Sequence, residues 1–83
     1  MNFSIYAVKD ELTGRFMEPT YFRSEDEAKR NFSYQINNIK LWKDNSADYS
    51  LFKLGEFSED EGFLLDSICI EKIAGGRSML KGE

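Results

Sequence analysis

The chain opens on alternation. In "FSIYAV", Phe3, Ile5 and Ala7 fall on one side and Ser4, Tyr6 and Val8 on the other, the two-residue period of a strand. We expect strand one over about 2 to 9. "KDELTGRF" then supplies a reversal, because Gly14 is free to take positive φ and Asp10 can bond its own downstream backbone. The return arm, Arg15 to Phe22, contains Pro19, which cannot donate to a ladder. That arm is expected at a sheet edge, or broken short.

The period then changes. "SEDEAKRNFSYQINNIKLW" has Ser24 as N-cap, Glu27 three residues on to close a capping box, and three acids in the first turn, where the helix dipole favours them. The spacing predicts a helix from about 25 to 42, with Ala28, Phe32, Ile36 and Ile39 in one stripe and Gln35 and Trp42 at its margin. Tyr34 and Leu41, seven apart, fall on the opposite side, where large apolar groups point to a second contact surface. "KDNSAD" ends the helix with loop chemistry.

"DYSLFKLGEFSEDEG" reads as a strand from Tyr49 to Phe57 and a turn closed by Gly62, with strand four from Phe63 to Ile73 completing a second hairpin. The acids of the turn keep its tip in water. Apolar residues on both faces of strand four place it in a central or covered position. The fold class is α+β: an antiparallel sheet of about four strands, order β-β-α-β-β, with one amphipathic helix packed on one face. Residues 1 to 74 form a single domain, and 75 to 83, after "AGG", a flexible C-terminal tail. One helix covers one sheet face, leaving rings such as Tyr6 or Phe52 in need of shelter, so we expect a homo-oligomer, most simply a dimer.

Composition narrows the chemistry. Seven Phe, four Tyr and one Trp in 83 residues supply most of a small core. With no His, a Ser-His-Asp or Cys-His arrangement is absent, and the chain is expected not to be an enzyme. The lone Cys69 cannot form an internal disulfide or complete a zinc site, and in its apolar run it reads as a small buried hydrophobe. "AGGR" is no phosphate loop and "SEDEG" no calcium loop, so no cofactor or metal is expected. With no secretory signal and no apolar stretch of about 20 residues, we expect a protein of the cytoplasm that makes no membrane contact.

The net charge of -4 argues against tight, sequence-blind binding to phosphates, but the charge is patchy. Lys29, Arg30, Lys40 and Lys43 lie in an acid-free stretch, and Lys72, Arg77 and Lys81 in another. Rings near cations can stack on bases while the cations follow a backbone. Lys29, Arg30, Lys40, Lys43 and Lys53 are therefore the nucleic-acid-binding candidates, and Tyr34, Leu41 and Trp42 the partner-interface candidates.

"IYAVKDELTGRFMEP", "EAKRNF" and "DYSLFKLGEF" with its acidic, glycine-ended turn together resemble the small nonstructural protein of gokushoviruses, single-stranded DNA microviruses of bacteria. The resemblance covers about residues 5 to 65 and assigns no site residue. It implies a phage accessory protein of the host cytoplasm that acts in single-stranded DNA genome replication or packaging, by binding single-stranded DNA. The alternative is an interaction module for a phage or host replication or capsid protein, without nucleic-acid contact.

Overall fold

The computed structural model of the protein describes residues 2–81. Six strands, β1 (Asn2–Asp10), β2 (Arg15–Phe16), β3 (Thr20–Phe22), β4 (Tyr49–Ser58), β5 (Gly62–Leu64) and β6 (Glu71–Gly75), form one antiparallel sheet. Helix α1 (Glu25–Asn38) and the short α2 (Lys40–Asp44) follow β3. The two long strands β1 and β4 lie at the centre, from Asn2 opposite Ser58 to Asp10 opposite Tyr49. β2 and β3 share the free side of β1, and β5 and β6 the free side of β4. The sheet thus has four lanes, the outer two each interrupted.

The expected α+β architecture is present, and the reason for the first interruption was visible: Pro19 lies in the gap between β2 and β3. Gly14 and Gly62 both adopt positive φ, 74° and 83°, as their turns require. The second interruption was not anticipated. In place of a strand from 63 to 73, Leu65–Ser67 form a 3-10 turn between β5 and β6. Ser67 bridges the break: its hydroxyl accepts from the Glu56 N–H at 2.8 Å and donates to the Leu64 carbonyl at 2.5 Å. This lane is an edge, not a covered centre, so Leu65, Ile68, Ile70 and also Cys69 are exposed.

Helix α1 begins as its sequence dictates. Ser24 Oγ accepts from the Glu27 N–H at 3.2 Å, and Glu27 Oε1 reaches back to accept from the Arg23 N–H, also at 3.2 Å. Ala28, Phe32 and Ile36 are buried against Tyr6, Val8, Tyr49 and Leu51. Fully burying Phe32 or Ile36 stabilises the fold by about 1.5–3 kcal/mol each. Tyr6 is thus sheltered by the helix, contrary to expectation.

The helix breaks earlier than 42. Ile39 is extended, at φ -96° and ψ 113°, and is partly exposed outside the core stripe. The preceding asparagines compete for backbone acceptors: Asn37 Nδ2 donates to the Ser33 carbonyl and Asn38 Nδ2 to the Tyr34 carbonyl, both at 2.8 Å. Asn37 also anchors the segment expected to be a flexible tail. Its Nδ2 donates to the Met79 carbonyl and its Oδ1 accepts from the Lys81 N–H, each at 2.9 Å. Gly76 is buried and Met79 packs on the core, so residues 75–81 complete the domain; 82 and 83 lie outside the described residues.

Candidate functional site

Side chains facing away from α1 include two groups of rings. In β1 these are the odd positions, Phe3, Ile5, Ala7 and Lys9, since Tyr6 and Val8 face the helix. Cross-strand partners share a face, so pairing assigns the rest: Phe16 lies opposite Lys9, Tyr21 opposite Ile5, Phe57 opposite Phe3, Phe52 opposite Ala7, and Phe63 opposite Phe57.

A bulge makes this possible. Phe52 and Phe57 are five apart, which in a regular strand puts them on opposite faces. The register shifts so that Ile5 faces Gly55 while Tyr6 faces Lys53, leaving Leu54 as the extra residue. That one insertion turns Phe57 away from the helix and onto the side of Phe52.

The rings gather at two ends. At one, Phe16 and Phe52 meet edge to face with centroids 5.5 Å apart, and Lys9 Nζ stands 5.5 Å and 5.7 Å from the two rings. At the other, Phe57 contacts Tyr21 at 5.5 Å and Phe63 at 5.3 Å, while Phe3, Tyr21 and Phe57 line an apolar hollow. The Arg23 guanidinium lies 5.4 Å from the Phe3 ring centre. Between them run Ile5, Ala7 and Gly55, over a distance of about 13 Å at a strand's rise per residue. Phe16, Tyr21 and Phe63 are exposed. The segment after β5 laps onto the middle of this face, with Ile68 Cα and Ser67 Oγ each 3.5 Å from where a side chain on Gly55 would start, and Ile5 and Ala7 are buried there. The two ends offer π surfaces with cations beside them, able to stack flat rings and attract negative charge.

The residues singled out from sequence fall elsewhere. Lys29, Arg30, Lys40, Lys43 and Lys53 are spread over α1, α2 and β4. Three have carboxylate partners: Lys29 with Glu25 at 3.1 Å, Lys40 with Asp44 at 2.8 Å, Lys53 with Glu56 at 3.5 Å. The Asp44 hydrogen bond, followed by its charge, raises the Lys40 pKa. Arg30 borders rings in an open groove with Phe3, Tyr21 and Tyr34, and Lys53 lies across the ladder from the buried Tyr6, on the helix side of the sheet.

Tyr34 and Leu41 are exposed, at 66% and 62%, but the break at Ile39 puts them on different helices, so their seven-residue spacing does not define one face. Trp42, expected at a partner interface, is instead half-buried at the rim of the core, stacked on Tyr49 with centroids 4.8 Å apart and planes 12° from parallel. Of the open face, sequence reasoning named only Phe52 as a ring needing shelter. The odd-numbered side of strand one was in the pattern, but the bulge that adds Phe57 had no signal beyond the adjacent glycine.

A family model described as Phage ORF5 protein matches residues 3–79. The chain belongs to that family. The match spans every strand, both helices and the docked C-terminal segment, so the domain described above is the Phage ORF5 unit. No curated protein and no solved structure matches the chain.

Proposed function

We propose that this Phage ORF5 protein is a non-catalytic accessory protein of a single-stranded DNA phage of the gokushovirus kind, acting in genome replication or packaging by holding single-stranded DNA. The observation that supports this reading is the sheet face turned from α1, where Phe3, Phe16, Tyr21, Phe52, Phe57 and Phe63 lie beside Arg23 and beside Lys9 and Lys72, which share the Glu11 carboxylate at 3.9 and 4.0 Å. Base stacking on such rings contributes about 1–3 kcal/mol per base and tolerates any sequence. The net charge of -4 keeps the backbone contribution small, so affinity depends on the rings more than on salt. Titration of a fluorescent oligo-dT tests it. Phe52→Ala and Phe57→Ala are each expected to weaken binding by about tenfold. No binding by wild type at micromolar protein in low salt refutes the reading.

A second reading, an interaction module for a phage or host replication or capsid protein, is favoured by the apolar ledge of Phe63, Leu65, Ile68 and Ile70 on the outer lane. Self-association would use the same ledge, since so small a domain gains from burying more apolar surface. Cys69, the chain's single thiol, is exposed within it and accepts a photo-crosslinker. Under this reading the label yields a covalent homodimer, or an adduct with purified capsid or replication protein. A chain left uncrosslinked with each of these refutes it.

A further inference from the structure

The open face does not end at the sheet edge. Beyond β3 the surface turns onto α1 through a groove lined by Phe3, Tyr21, Arg23, Arg30 and Tyr34. Its chemistry differs from that of the cations around it. Whereas Lys29, Lys40 and Lys53 are engaged by carboxylates, neither Arg23 nor Arg30 has a carboxylate partner among the described residues. Glu27 also lines the groove, but its Oε1 is occupied by the Arg23 backbone N–H at 3.2 Å. Arg30 and Tyr34 are four apart on α1 and so share one side of it. Tyr34 is the most exposed aromatic ring on the molecule. Two guanidinium groups without a carboxylate partner among the described residues, each beside a ring outside the core cluster, suit a phosphate and a base.

We infer that single-stranded DNA leaves the open face across the β3 edge and continues along this groove, with backbone phosphates on Arg23 and Arg30 and a base stacked on Tyr34. This rests on the DNA-binding reading above and adds to it a path and three contacts. Guanidinium groups suit phosphate because their planar donors pair with its oxygens two at a time. Arg23, held over Phe3, joins the two surfaces: its ring contact belongs to the sheet and its free donors to the groove.

The test is a titration of fluorescent ~12-nucleotide oligo-dT across a salt series, with wild type, Arg23→Gln/Arg30→Gln, Arg30→Gln alone, Tyr34→Ala, Tyr34→Phe and Lys40→Ala/Lys43→Ala. The double arginine variant is expected to flatten the slope of log affinity against log salt by about 1.4 and Arg30→Gln by about 0.7, the single-strand value per phosphate. Tyr34→Ala is expected to bind about tenfold more weakly, and Tyr34→Phe like wild type, because stacking needs the ring and not the hydroxyl. The Lys40/Lys43 variant should match wild type. Arg30 and Tyr34 are exposed, so these single variants remain folded even if the double variant does not. Wild-type slopes and affinities in Arg30→Gln and Tyr34→Ala overturn the path while leaving DNA on the sheet face. Failure of wild type to bind removes both.

Discussion

A methyl group on Gly76 would fall 2.8 Å from Ile36 Cδ1 and from the Tyr49 carbonyl oxygen, and closer still to the Ser46 carbonyl. Two of these neighbours are backbone and cannot turn aside. Gly76→Ala is therefore expected to destabilise the fold by about 1–3 kcal/mol, read as a lowered urea midpoint. "AGG" looks like a loose joint in sequence because close approach is a property of what arrives opposite, here the turn at Ser46 and the strand start at Tyr49. Tyr49 itself carries a pH signature. Burial pushes its phenol above its ordinary value, with the charges of Asp10 and Asp48 adding to the shift. A raised folded-state pKa means that the stabilisation is whole below the unfolded value of about 10 and is lost as pH climbs through the folded one. The melting temperature of wild type should thus fall more steeply above about pH 10 than that of Tyr49→Phe. Equal slopes would show that Tyr49 does not titrate against the fold.

At the scale of elements, what was legible follows local chemistry and what was not follows tertiary competition. Ser24 and Glu27 marked the start of α1, Gly14 and Gly62 the turns, and Pro19 the broken edge, because each acts on its own backbone. The end of α1 was misplaced because Asn37 serves Met79 and Lys81, over forty residues away, and no periodicity records that demand. Strand four was misread because Ser67 substitutes for a ladder partner. The Leu54 bulge is the element on which the ring face depends. Deleting Leu54 would restore regular alternation and drive either Phe57 into the helix side or Leu51 out of the core. The deletion is expected to abolish cooperative unfolding, whereas Leu54→Ala, which keeps the residue count, should retain it. A deletion variant that melts like wild type would show that the bulge is dispensable.

Across the whole molecule, acids and cations divide by region more than the net charge of -4 conveys. Glu59, Asp60 and Glu61 crowd the tip of the β4–β5 turn, while Lys9, Arg23 and Arg30 border the rings. The acidic turn keeps the hairpin tip solvated beside the rings of β4 and β5. One helix shields Tyr6, Val8, Tyr49 and Leu51, and the opposite side of the same strands carries Phe3, Phe52 and Phe57. Amide chemical-shift mapping by NMR, with oligo-dT added to labelled protein, addresses that division directly. The account predicts the largest shifts at Phe3, Tyr21, Phe52, Phe57 and Phe63, continuing over Arg23, Arg30 and Tyr34. Shifts confined to α2 and residues 76–81, or none at saturating oligonucleotide, would contradict it.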